Sequence, residues 1–473
     1  MKNNRYFSLV IASCWVTQST QWLVHPSLEK DFQFFAQKDQ KIGTESSQSQ
    51  KKKKSILGLR SQDDSAEPSV GASPFPFDFD RGYIDIYEQE GNCMWYWHFR
   101  AMKNPETAPL ILWFDGGPGG ASSGDVFTSN GPFKFENYSP KDPIAYFKNT
   151  TWSQVANVVY PDFPLGVGFS NVTTGHVSFG KDQVMEQILI FFTKFLKKYP
   201  EYKKRPLYIG GVSYGGHWVP YVATALKYSG NPDINIQGFY ISDGMIHAQT
   251  LLETYPDFAL QNFKYTGFTQ QDAENVGSLK DLCLHSFTTR LNRLYTKGYF
   301  SVCLDVYGAK IYKTIHQKRP KFSRYSMPGG YPFDGTFIEF LNTTSIQTFL
   351  GALHKDFQFV NNTFGNMFAP RDFYVDVRPM LARLLDDGVK GVFTVGNLDF
   401  ICNSLQSEQT VADLKWKHQK AYNMASRKPC KYGYCKGLAN LREYRVTGSG
   451  HGTSVYKPEF TLEIIESLIN WNP

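Results

Sequence analysis

The sequence predicts an α/β fold, with a mainly parallel central sheet, helices on both faces and a cap insertion. Three observations predict it. Short apolar runs, Leu110 to Phe114 and Val155 to Tyr160, each lead into loops rich in Gly and Pro, as strands buried on both faces do. Between such runs, residues 181–197 place Val184, Ile188, Ile190, Phe191, Phe192 and Phe195 near helical spacing. From about residue 265 to 365 the alternation stops and periodicity is weak, which marks an insertion over the sheet.

In chain order, residues 1–24 carry Lys2 and Arg5 ahead of an apolar stretch from Tyr6 to Val16 that is too short to span a bilayer. This is the pattern of a cleaved signal peptide; the alternative is an ordinary cytosolic N-terminus. Residues 25–75, rich in Gln, Lys and Ser, lack the apolar content to offset ordering and are expected to be a flexible propeptide or a linker. The folded domain is expected over 76–473. It opens with YIDIYEQEGNCMWYWHFRA, two β-rich runs around a Gly-Asn turn and hence a hairpin. PLILWFDGGPGG and VANVVYPDFPLGVGFS follow as strand and loop, and RPLYIGGVSYGGHWVPYVATALK reads strand, sharp turn, helix. After the insertion, LARLLDDGVKGVFTVGNLDF restores helix then strand, and the amphipathic EFTLEIIESLINW closes the chain.

Composition narrows the function classes. A chain of 473 residues with 41% hydrophobic and 16% aromatic content can bury a large core. Much of the net charge of +7 sits in the run Lys51 to Lys54, flanked by Gln and Ser rather than interleaved with aromatics, so it reads as solvated linker and not as a nucleic-acid surface. No segment after the first is apolar enough to cross a membrane. Loss of Cys14 with the signal leaves Cys93, Cys283, Cys303, Cys402, Cys430 and Cys435, an even set suited to an oxidising compartment. Cys283 with Cys303 is the preferred bridge, Cys430 with Cys435 closes a short loop as a second, and Cys402 is equally read as a buried thiol. Sequons at Asn137, Asn149, Asn171, Asn342 and Asn361 are expected at the surface. Together these point to the secretory pathway, ending in a lysosome or vacuole or outside the cell. No His/Cys cluster has metal-ligand spacing, so neither a metal nor another cofactor is expected.

The chemistry centres on GVSYG, Gly211 to Gly215, a G-x-S-x-G match between strand and helix. Gly on each side of Ser213 is expected to relieve Cβ clashes in a strained turn that lifts the hydroxyl above the sheet. A serine hydroxyl needs an adjacent base. His451 lies in the Gly-rich loop GSGHGTS, and Asp399 follows the apolar run Gly391 to Val395. The order Ser, Asp, His is that of the α/β-hydrolase fold, and both residues fall past strand C-termini, where such sheets bind ligands. His451 is expected to take the Ser213 proton while Asp399 fixes its tautomer. Gly117 and Tyr214 are the expected oxyanion donors through their N–H groups. His217 reads as a packed or hydrogen-bonded neighbour of the turn.

These motifs together resemble the serine carboxypeptidase family. WFDGGPGG, WSQVANVVYPDFPLGVGFS, GGVSYGGHWVP, LDFICN and the His451 loop followed by KPE stand in the family's order, over roughly residues 78–265 and 366–473. The resemblance implies an acid-compartment exopeptidase acting on peptide or protein C-termini. It also implies Asp115, Gly116, Ser129 and Val212 as the substrate-binding positions. Family members hold the substrate's terminal carboxylate with an Asn in the Gly-rich loop and two Glu side chains. Here Asp115, Val212 and Ser129 stand at those positions, and Gly120 replaces a family Cys. An esterase or acyltransferase of the same fold, or a secreted non-catalytic homologue, are the alternatives these departures leave open. Oligomeric state is not legible.

Overall fold

A computed structural model describes residues 75–471 apart from 88–90, 137–138, 140–143, 174–179, 289–300, 333–334 and 354–355. All of them belong to one compact unit spanning 69–473. The expected signal peptide, the linker up to residue 74 and the Asn137 sequon lie outside the described residues. Phe75, assigned to the linker, is instead buried against Phe79, Trp97 and Phe133.

The expected hairpin forms from β1 (Asp80–Tyr87) and β2 (Asn92–Phe99), antiparallel with Ile84 opposite Met94. Further strands of the large sheet are β3 (Leu110–Phe114), β6 (Asn157–Pro161), β7 (Pro206–Val212), β8 (Asn235–Ser242), β9 (Lys390–Gly396), β10 (Lys428–Cys430), β11 (Gly433–Leu438) and β12 (Leu441–Val446). β4 (Phe133–Lys134) and β5 (Tyr146–Phe147) pair separately. The ten-stranded order is β1-β2-β6-β3-β7-β8-β9-β12-β11-β10. Neighbours from β6 through β12 run parallel, and the antiparallel pairs lie toward the two edges. β3 and β6 are buried throughout, which is why they read as continuous apolar runs. β6 begins two residues later than Val155, because Thr151 Oγ1 accepts from Ser153 N and caps a 3₁₀ turn at Trp152–Gln154.

Helix α1 (Lys181–Lys198) buries Val184, Ile188, Phe191, Phe192 and Phe195, the stripe the spacing predicted. Helix α2 (Gly215–Lys227) follows β7 at once. Between β8 and β9, among the described residues, the large sheet gains no strand. That stretch holds α3 (Ala248–Gln261), α4 (Gln270–Thr288), α5 (Ala309–Lys318), short helices at Thr336–Leu341 and Thr344–Leu350, α6 (Asn362–Asp372) and α7 (Arg378–Asp386). The terminal α8 (Pro458–Ile469) buries Phe460, Ile464, Ile465 and Leu468.

Cys283 and Cys303 are bridged, as preferred. Cys430 and Cys435 are free thiols on neighbouring strands, close enough for a side-chain hydrogen bond between them. Cys402 is a buried free thiol. Of the sequons, Asn149 is exposed. Asn171, Asn342 and Asn361 are half-buried, with Nδ2 donating to Gly91 O at 2.9 Å, Phe357 O at 2.9 Å and Gly166 O at 2.8 Å.

Close packing at the β7–α2 turn assigns its glycines unequally. A Cβ on Gly211 would lie 2.9 Å from Phe114 O and one on Gly216 only 2.3 Å from Met245 O, whereas one on Gly215 would meet its nearest neighbour at an ordinary 3.4 Å. The steric demand therefore falls on Gly211 and Gly216 rather than on the motif's Gly215. Gly216→Ala is expected to cost about 1–3 kcal/mol despite alanine's better helix propensity, and Gly215→Ala to cost less. Equal thermal midpoints for the two variants would contradict this packing.

Candidate active site

Loops leaving the C-terminal ends of β3, β7, β9 and β12 gather at one edge of the sheet. Ser213 follows β7 directly, in a left-handed conformation with φ of 60°. A non-glycine residue there is strained and persists only if its surroundings hold it. Ser213 N donates to Ser242 O at 3.1 Å, and Ser213 O accepts from Gly216 N at 3.0 Å and Met245 N at 2.9 Å. Gly116 packs against it so closely that a Cβ there would stand 2.9 Å from Ser213 Oγ and 2.7 Å from Tyr214 N. Among the described residues, the N–H groups of Gly117 and Tyr214 have no hydrogen-bond partner, and Gly117 is exposed.

Asp399 lies in the turn after β9 and His451 in the loop after β12, both buried, with His451 Nδ1 2.8 Å from Asp399 Oδ2. Asp399 Oδ1 also accepts from Cys402 N at 3.1 Å. Burial opposes protonation of His451, but Asp399, Asp243 and Asp115 outweigh it and raise the imidazole above its ordinary pKa. No hydrogen bond joins Ser213 to His451 among the described contacts. Both border the Gly-rich loop, where Asp115 interacts electrostatically with His451 and Gly116 abuts Ser213.

Two further groups, missed in the sequence, hold this pair. Asp243, after β8, accepts on Oδ1 from Gly396 N at 2.8 Å and on Oδ2 from Gly452 N at 3.1 Å and Thr453 N at 2.9 Å, tying β9 to the His451 loop. The segment Arg324–Met327 binds both loops: Arg324 O accepts from Phe400 N and Ile401 N at 3.0 Å, Met327 N donates to Leu398 O at 3.0 Å, and Tyr325 O accepts from His451 N at 2.7 Å. An acid just past a strand end was the available signal for Asp243; a backbone clasp such as 324–327 leaves none.

The positions expected to bind substrate fare differently. Asp115 is half-buried beside the nucleophile, with Oδ1 accepting from Gly116 N at 2.7 Å; burial pushes it up to about 6. Ser129 is not presented to a ligand: it is buried, and its hydroxyl is bonded to Ser454 Oγ. Val212, also buried, ends β7 and is the nearest side chain but two to a Cβ built on Gly452, at 4.0 Å. Asp399, Cys402 and His451 bring ligand atoms within 4.8 Å of one another, a juxtaposition hidden in the sequence because His451 comes from a distant loop. Burial holds the Cys402 thiol well above its usual pKa, which opposes metal binding as thiolate.

A serine carboxypeptidase family model matches residues 68–471. The chain belongs to the serine carboxypeptidase family. It is 30% identical over 404 residues to serine carboxypeptidase S10 family member 1 of Dictyostelium discoideum, covering 82% of this chain and 93% of that protein. Over 426 residues it is 27% identical to serine carboxypeptidase-like 47 of Arabidopsis thaliana, covering 86% and 81%. A prohormone-processing carboxypeptidase from Saccharomyces cerevisiae has the same fold, with TM-score 0.69 at 19% identity, covering 83% of this chain and 91% of that one. As a serine carboxypeptidase this chain is a hydrolase of the α/β-hydrolase fold with peptide substrates. Among the described residues of this family member, no helix is long and apolar enough to cross a membrane.

The site of this serine carboxypeptidase also sets its stability against pH. Burial pushes Asp115 up to about 6 and Asp162 and Asp243 up to about 7, and holds Asp125 well above the carboxylate range. Each binds its proton more tightly folded than unfolded, so its contribution is full below about pH 4 and is lost as pH rises through the folded values. His451, raised, acts in the same direction, whereas His98 and His247, lowered chiefly by burial, lose their contribution as pH falls through about 6.5. The acids outnumber the opposing histidines, so the thermal midpoint is expected to rise as pH falls from about 8 to about 5. A midpoint that falls steadily over that range would contradict the assignment.

Proposed function

We propose that the chain removes C-terminal residues from peptides through an acyl-enzyme formed at Ser213. The observation that carries this reading is the buried 2.8 Å Asp399–His451 pair at the sheet edge that also bears the strained Ser213. Ser213 Oγ attacks the scissile carbonyl carbon and its proton passes to His451 Nε2. The developing oxyanion is received by the Gly117 and Tyr214 N–H groups. As the C–N bond breaks, His451 returns the proton to the departing amine, and water repeats the sequence to free the acid. Asp399 holds Nδ1–H and steadies the imidazolium. The left-handed turn supports this reading because it exposes the hydroxyl while the Gly-rich loop admits substrate beside it.

Recognition of the substrate's carboxylate rests on Asp115 and backbone N–H groups of the Gly-rich loop, since Ser129 is engaged and Val212 offers no donor. Protonated, Asp115 can donate to a carboxylate; ionised, it repels one. The same feature favours a second reading, an esterase or acyltransferase for blocked substrates. The N-terminal apolar stretch and the Cys283–Cys303 bridge support a route through the secretory pathway.

Ser213→Ala is expected to abolish release of C-terminal residues and labelling by a fluorophosphonate, and Asp399→Asn to lower kcat by roughly 10³–10⁴-fold. Peptide release by Ser213→Ala at the wild-type rate would refute the nucleophile; an unlabelled, folded wild type would favour a non-catalytic homologue. For free-acid peptides KM is expected to rise as pH increases through about 6, where Asp115 ionises, and to stay flat for amidated peptides. Steady preference for blocked esters at every pH would support the esterase reading instead.

A further inference from the structure

Asp372, the last residue of α6, is fully buried and accepts three side-chain hydrogen bonds: Tyr214 OH at 2.8 Å and His217 Nδ1 at 2.9 Å on Oδ2, and Tyr221 OH at 2.9 Å on Oδ1. All three donors lie in or beside the first turns of α2, just behind Ser213. The Tyr214 ring packs on His217 at 4.8 Å and Trp218 at 5.1 Å, so the side chain is held at both its tip and its face. Upstream, the same stretch of chain grips the Gly-rich loop. Ala121 N donates to Phe359 O at 2.8 Å, Asn361 N donates to Gly119 O at 2.9 Å, and the Asn361 side chain fixes Gly166. Residues 359–372 thus touch the two loops that carry the Gly117 and Tyr214 N–H groups.

We propose that Asp372 is a positioning residue that sets the direction of the Tyr214 N–H, with the 359–361 segment setting the Gly-rich loop from the same element. The inference rests on the reading of Ser213 as nucleophile and of these two N–H groups as oxyanion donors. Rotation of the Tyr214 peptide would break a buried bond to a carboxylate, and such charge-assisted bonds are the strong ones. The network also leaves His217 Nε2 buried without a partner, a cost that an apolar cluster of the same size would avoid. Tyr221 and His217 keep the carboxylate aimed at the Tyr214 hydroxyl. A donor displaced from the oxyanion loses transition-state stabilisation while ground-state binding is kept, so the signature is in kcat rather than KM.

The test is Tyr214→Phe, which deletes one hydroxyl and leaves the Asp372–His217 pair. Expected are a kcat lowered about tenfold, KM within about twofold, and affinity for a peptidyl aldehyde, which forms a tetrahedral adduct at Ser213, weakened by the same factor as kcat. Affinity for the product peptide, which forms no adduct, stays at the wild-type value and reports an intact fold. Asp372→Asn, whose amide opposes one of the three donors, is expected to lower kcat further in the same pattern. Wild-type kcat in Tyr214→Phe, or equal weakening of aldehyde and product peptide, overturns the positioning role. Full activity of Ser213→Ala overturns the underlying nucleophile assignment instead, so the two failures are distinct.

Discussion

Loops that leave the end of a parallel sheet carry backbone N–H groups that no strand ladder satisfies, and buried ones must find acceptors. In this protein carboxylates supply several of them, beside main-chain carbonyls. Asp115 takes Gly116 N, Asp162 takes Ser123 N and Phe169 N, Asp243 takes Gly396, Gly452 and Thr453 N, and Asp399 takes Cys402 N. Asp162 and Asp243 tie separate segments of the site together, whereas Asp115 and Asp399 take N–H groups of their own turns. The Asp399–His451 contact is one member of this set, distinguished by having an imidazole as its partner. Burial raises the pKa of Asp115, Asp162 and Asp243, with Asp115 adding to the rise of Asp162 and Asp399 to that of Asp243, and Asp399, Asp243 and Asp115 raise His451. Architecture and proton chemistry here are consequences of a single arrangement.

Much of the frame was legible in the sequence. The hairpin, β3, β7, α1, α2 and α8 follow from apolar periodicity, because burial on one face or two imposes a period on the residues themselves. The G-x-S-x-G turn was legible for the same reason: close approach leaves a mark in glycine, though Gly216 bears more of that demand than Gly215. Asp372 was not legible, and Asp243 was marked only by its place just past a strand end. The partners described lie 151 to 158 and 153 to 210 residues away, and a carboxylate bonded to groups so distant in sequence imposes no pattern on its neighbours. Alignment to a family position likewise gave no sign that the Ser129 hydroxyl is bonded to Ser454 Oγ. Spacing brought Cys430 and Cys435 together on neighbouring strands, but they stand as free thiols.

The helical stretch between β8 and β9 read as the least informative part of the chain, yet it contributes to both halves of the site. Its residues 324–327 clasp the loops of Asp399 and His451, and residues 359–361 seat the Gly-rich loop. Most of these contacts use main-chain atoms. That explains why irregular, aromatic-rich sequence can serve: the side chains are free to differ while the carbonyl and amide positions are kept.

Such a clasp constrains how this enzyme can be re-engineered or can diverge. Transplanting the whole 265–365 stretch from a relative to alter selectivity would exchange the backbone path that places the acceptor for His451 N along with whatever pocket was meant to be exchanged. A workable chimera must splice inside that stretch, keeping the backbone path around Tyr325 from the host.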